Sequence, residues 1–139
     1  MKKYILGILL LSCVLLNNAC TKIEDDEADV FVGTYTVSTI ENVTWGGSYG
    51  TVTDNGIFRI SKVSSNRVRV SGYFNTYGNV IGSSLYLDSY TSSDYAGSST
   101  IVFGTGFLNG NILNLTSTTN GFLDGYAFFS SAKHNCIKQ

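Results

Sequence analysis

The chain has 139 residues, nine basic and ten acidic side chains and a formal net charge of −1. That length is enough for one domain with a modest core. No stretch gathers its basic residues into the clustered surface that a nucleic-acid partner needs.

The N-terminus opens on Lys2 and Lys3. Tyr4 to Leu16 is then apolar apart from Gly7 and Ser12. This fits the apolar region of a signal peptide, and a transmembrane helix would need about 20 such residues. The run ends in Leu15-Leu16-Asn17-Asn18-Ala19-Cys20 and turns acidic behind it. The pattern resembles a bacterial lipoprotein signal, cut before Cys20 and acylated on that cysteine, although only Ala19 matches the small residues such signals favour. The competing reading is an ordinary secreted protein with a chance cysteine near its cleavage site. Several acyl chains on Cys20 would make membrane attachment effectively permanent, since each buried methylene adds about 0.8 kcal/mol.

Lys22, Glu24, Asp25, Asp26 and Glu27 resemble the short signal that sends lipoproteins of Bacteroidota to the outer face of the outer membrane. A run of like charge is also simply a solvated, extended tether. The expected division is a signal peptide over 1–19, an acidic tether over 20–29, a β-barrel domain over 30–133 and a flexible tail over 134–139. With Cys13 lost and Cys20 lipidated, Cys136 alone remains and no internal disulfide can form.

From Phe31 onward, alternation of apolar and polar residues predicts strands throughout. Phe31, Gly33, Tyr35 and Val37 share a face, and Ile40 breaks the phase, which suggests a bulge or twist near there. Gly46-Gly47 reads as a tight hairpin turn. Asp54-Asn55-Gly56 reads as a second turn, leading to Phe58 and Ile60. Ser64-Ser65-Asn66 reverses the chain into Val68, Val70 and Phe74. Val80 to Asp88 follows with Leu85 and Leu87 on one face, and Ser89 to Ser99 is the longest polar connection. Ile101, Phe103 and Phe107 mark the next strand, Asn109-Gly110 a turn, and Leu113 and Leu115 its return. Thr118-Thr119-Asn120-Gly121 turns again, and Phe122 to Lys133 closes the domain.

Seven or eight antiparallel strands at this spacing predict an all-β meander closing into a barrel, because closure removes exposed edges. A two-sheet β-sandwich is the alternative. Gly33-Thr34-Tyr35 and the stretch Gly104-Thr105-Gly106-Phe107-Leu108-Asn109-Gly110-Asn111-Ile112-Leu113 resemble the first strand and a late hairpin of small lipocalin-like, or calycin-like, lipoproteins of Bacteroidota. The resemblance implies a compact lipocalin-like barrel on a lipidated tether and implies no activity.

No catalytic constellation stands out. His134 and Cys136 would share one face of a strand, but they lie in the last six residues, where chains fray, and a structural zinc site needs four ligands. Asp54, Asp88, Asp94 and Asp124 fall at expected turns or strand ends and suggest no acid/base pair. No serine has an evident histidine partner. No cofactor, metal site or catalytic residue is therefore expected.

The remaining signal is aromatic. Phe58, Phe74, Phe103, Phe107 and Phe129 are expected in the core. Trp45, Tyr49, Tyr73, Tyr77, Tyr90 and Tyr95 are expected near turns or on outward faces, where they contact a ligand or partner or merely stabilise cross-strand pairs. The expected function is a non-enzymatic binding module, lipid-anchored at the outer membrane and facing the cell exterior. Its ligand would be a small apolar molecule, a glycan or an envelope protein. The alternative is a structural or interaction subunit with a filled barrel.

Overall fold

The computed structural model describes residues 26–94 and 97–139. The expected signal peptide, Cys20, the first part of the expected tether and Tyr95 lie outside the described residues. A 3-10 turn, Glu27–Val30, precedes ten strands: β1 (Gly33–Trp45), β2 (Ser48–Ser64), β3 (Arg67–Gly72), β4 (Thr76–Ile81), β5 (Ser84–Leu87), β6 (Tyr90–Asp94), β7 (Gly97–Phe103), β8 (Thr105–Asn109), β9 (Ile112–Leu123) and β10 (Tyr126–Lys138). All pairings are antiparallel.

Ten strands make eight staves. β5 pairs with β8 and β6 with β7 in one unbroken register, so β5–β6 and β7–β8 are each a single stave with an interruption. At Gly104, between β7 and β8, the register against β9 steps by one residue, which is a bulge. A side chain there would meet the Thr116 hydroxyl and force it aside. The meander closes through the β10–β1 and β10–β9 pairings. The barrel is all-β, as the alternation predicts, and the sandwich alternative is excluded.

Turn chemistry identifies some reversals and misplaces others. Gly46 and Gly47, both with positive φ, join β1 to β2 as a two-residue turn of the kind that matches strand twist. Asp54-Asn55-Gly56, expected as a turn, instead lies within β2, opposite Thr39, Ser38 and Val37. Thr118-Thr119-Asn120-Gly121 likewise lies within β9, and the reversal occurs at Asp124-Gly125, whose φ values are 51° and 80°. Asn109 ends β8, so the turn beyond it is Gly110-Asn111. The expected polar connection over Ser89–Ser99 is largely the β6–β7 hairpin. The stretch Val80–Asp88 divides between β4 and β5 at Gly82.

The interior is filled at one end only. Phe31, Tyr35, Val37, Phe58, Ile60, Val68, Val70, Val80, Leu85, Leu113 and Cys136 pack there with almost no exposure. Tyr35 stacks on Phe58 with centroids 5.1 Å apart, and its hydroxyl donates to the Phe31 carbonyl at 2.8 Å. That buried phenol keeps its proton, its pKa pushed up to about 12 by desolvation and, secondarily, by Cys136.

Residues 26–31 cap this closed end. The Ala28 N–H donates to the Ser65 carbonyl at 2.9 Å, and the Gly82 N–H donates to the Glu27 carboxylate at 3.1 Å. Lys62 pairs with Asp26 and, at 3.1 Å, with Asp29. The last part of the expected free tether is thus fastened, because the β2–β3 and β4–β5 turns offer it backbone partners.

The expected tail at 134–139 is corrected too, since β10 runs to Lys138 between β9 and β1. Ala132, His134 and Cys136 continue the inward alternation and are buried. Phe107 and Phe129, expected in the core, are 57% and 47% exposed, because their strand phase turns them outward. β1 keeps one register throughout, so no bulge occurs at Ile40. Thr39 takes the inward position instead.

Candidate functional site

Above the packed core the lining changes character. Continuing inward along β1 after Tyr35 and Val37 come Thr39 and Glu41; β2 offers Asp54, opposite Thr39; β10 offers Ser130, Ala132 and His134. Ser117 and Thr119 face them from β9, and Ile101 from β7. With Tyr73, Phe74 and Tyr90 these side chains, Asp54 and Ser130 excepted, line a cavity of about 200 Å³ at the floor of the open half. A broader groove on the outer wall, lined by Ser38, Ile40, Lys133 and Asn135 among others, gathers no carboxylate and no tyrosine.

The hub of the cavity floor is His134, which is only 4% exposed. Its Nδ1 lies 2.8 Å from Thr39 Oγ1 and its Nε2 2.9 Å from Ser117 Oγ. A neutral imidazole donates from one nitrogen and accepts at the other, so one hydroxyl accepts from the ring and the other donates to it. Phe74 meets the ring edge-on with centroids 5.0 Å apart. Desolvation pulls the His134 pKa down to about 4.

Tyr73 extends the network. Its phenol lies beside Thr39 and Asp54, and its pKa is raised, first by burial and then by Asp54 and the charge of Glu41, against the opposing effect of Thr39. Ser130 donates to Glu41. A chain of polar contacts thus runs from Ser117 through His134, Thr39 and Tyr73 to Asp54.

Ser117 and His134 form the serine–histidine contact that the sequence does not announce, yet the pair is poorly suited to nucleophilic catalysis. A general base works best with a pKa near the working pH, and a catalytic histidine is normally oriented by a carboxylate. Here a hydroxyl holds Nδ1, and burial makes the neutral imidazole too weak a base to accept the serine proton readily. The pair is a satisfied polar junction between the filled and open halves.

The six aromatic residues singled out in the sequence separate. Tyr73 and Tyr90 line the cavity, with Tyr90 6.2 Å from Phe103. Trp45 and Tyr49 stand at the open rim, where Trp45 meets Tyr126 edge-on at 6.1 Å. Tyr77 lies on the outer wall under the guanidinium groups of Arg67 and Arg69, 5.6 and 6.0 Å from its centroid. Asp88 is held by Arg67 at 2.6 Å. Sequence reasoning missed Thr39, Glu41, Ser117 and Ser130, and set His134 aside as part of a fraying tail. The inward phase of Tyr35 and Val37, carried two and four residues further, would have found Thr39 and Glu41.

Cys136 is fully buried, and desolvation pushes its thiol up to about 12. A thiol so placed is inert and out of reach of a thiol on another chain. Alkylating reagents are expected to leave Cys136 unmodified in native protein and to modify it fully in guanidinium. Peptide mass spectrometry would read this directly, and modification without denaturant would contradict the packing.

Among the described residues no group of three or more histidine, cysteine or acidic side chains could hold a metal ion. The chain matches no family model, no curated protein and no solved structure. What geometry defines is a class: a closed antiparallel barrel, packed at one end and open at the other over a polar, aromatic-lined cavity.

Proposed function

We propose that this protein is a lipid-anchored, non-enzymatic binding module of the bacterial outer membrane, lipocalin-like in design, that holds a small ligand in the open half of its barrel. The observation that carries the reading is the division of the interior. One half is filled by Tyr35, Phe58 and their neighbours, and the other opens on a cavity where Glu41, Tyr73, Tyr90 and Ser117 converge. A few convergent polar groups among aromatic walls is the usual make-up of a small-molecule site. The filled half leaves no deep apolar channel for a long acyl chain. A compact polar molecule with one apolar face, such as a sugar ring, suits the cavity better.

The address rests on Cys20 and the acidic residues after it. With residues 26–31 fastened across the closed end, an anchor at Cys20 leaves the cavity mouth pointing away from the bilayer. The test has two arms. Native protein is expected to partition into detergent, and Cys20→Ser into the aqueous phase. Titration with mono- and disaccharides is expected to change Trp45 fluorescence, and Glu41→Gln is expected to weaken that response at least tenfold. A flat titration across sugars, fatty acids and haem would refute ligand binding, and an unacylated native N-terminus would refute the address.

A further inference from the structure

The barrel wall has a gap above the β3–β4 hairpin. β2 is seventeen residues long, but β3 pairs only with Phe58 to Ser64. β6 pairs with β7 alone. Among the described residues, no strand lies along Ser48 to Ile57 of β2 on the side away from β1, or along β6 on the side away from β7. Lower down, β3 and β4 fill the same interval between β2 and β5, a span of three inter-strand spacings, about 14 Å.

The alternation of backbone groups shows which part of the β2 edge is free. Trp45 and Ser48 flank a two-residue turn, so the residues of even number face β1 and those of odd number face the gap. The Ile57 carbonyl confirms that phase, since it accepts from Tyr73 N–H at 2.9 Å across the gap side. Asn55 N–H is taken by the Asp54 carboxylate at 2.8 Å. Tyr49, Thr51 and Thr53 therefore present a row of backbone donors and acceptors to the gap.

Natural sheets guard such edges with lysine, proline, bulges or very short strands. The stretch from Ser48 to Ile57 has no lysine, no proline and no register shift. Its one charge, Asp54, faces inward with Glu41, and no lysine or arginine lines the cavity beside them.

We propose that the free edge of β2 at Tyr49–Thr53 is a docking site for an extended segment of another polypeptide, which adds a strand to the wall and turns basic side chains toward Glu41 and Asp54. Backbone pairing supplies the affinity and the inward-facing side chains the selection. The acidic inner wall chooses lysine or arginine at alternate positions. Self-pairing is disfavoured, because two antiparallel β2 edges related by a two-fold axis send their closed ends in opposite directions. Two copies tethered to one bilayer cannot do that.

The test uses the full chain in detergent and two synthetic nonapeptides that alternate valine and threonine with either lysine or glutamate. The lysine peptide is expected to bind and to slow amide hydrogen exchange at Thr51 and Thr53. Thr53→Pro removes an N–H that β1 does not use, so its thermal midpoint is expected to stay near the parent's while binding falls at least tenfold. N-methylating one edge of the peptide provides the same control without touching the protein. Equal binding of both peptides, binding that survives N-methylation, or exchange at Thr51 and Thr53 unchanged by peptide would each overturn the proposal. A peptide-free dimer abolished by Thr53→Pro would overturn it in favour of a second copy.

Discussion

Between pH 6.5 and 4 His134 is expected to withdraw on the order of 3 kcal/mol of the protein's stability. In the unfolded chain this histidine binds its proton near its ordinary value of 6.5, whereas in the fold burial delays protonation to about 4. Over that interval the unfolded state carries one proton more, so stability falls by about 1.4 kcal/mol for each pH unit lost. Above 6.5 the ring is neutral in both states, and below about 4 it is protonated in both, so neither region contributes a slope. The stabilising state is the neutral ring, with both nitrogens bonded to Thr39 and Ser117. Charging it would strip one hydroxyl of its acceptor, because both ring nitrogens of an imidazolium donate, and place a cation among Phe74, Leu115 and Ala132.

Urea midpoints at pH 7.5, 6.5 and 5.5 would isolate the effect, since carboxylates begin to titrate only below that range. His134→Asn keeps a donor and an acceptor without a titratable ring. It is expected to be weaker than the parent by about 1–3 kcal/mol at pH 7.5 and nearly flat across the three values. Equal slopes in parent and variant would show that the imidazole is hydrated in the fold and that the cavity floor is wetter than its burial implies.

The same histidine marks where sequence stops being informative. Fold class is legible because a period of two recurs from Tyr35 to Cys136 and because Gly46-Gly47 and Ser64-Ser65-Asn66 lie where strands end. Asp54-Asn55-Gly56 and Thr118 to Gly121 have equally good turn chemistry, yet lie mid-strand. A turn propensity is local, while the register of β1, β2, β9 and β10 is fixed by pairing over a dozen residues. Proximity to the C-terminus suggested fraying for His134, but β9 and β1 flank it and override that tendency. The cavity was legible only in fragments. Tyr73 and Tyr90 could be flagged as aromatics near strand ends, whereas Glu41, Ser117 and Ser130 are ordinary polar residues until closure places them around one space. Closure, a tertiary event, makes the site.

Replacing Phe58 by alanine is expected to cost about 3–5 kcal/mol, while the same change at Phe129 costs less than about 1 kcal/mol. Phe58 is 1% exposed, stacked on Tyr35 and 5.6 Å from Phe74. Its removal opens a cavity between β1, β2 and the β3–β4 connection, where closed strands allow little collapse. Phe129 stands on the outer wall beside Thr44, and the alternation of β10 puts it there while Ser130 and Ala132 face in. Both phenylalanines look alike in the sequence, so the pair tests the phase of the barrel rather than hydrophobicity. Denaturant midpoints with unchanged m-values would measure it. Comparable losses at both positions would mean that β10 is out of phase by one residue. His134 and Cys136 would then face solvent, and the polar junction beneath the cavity would not exist.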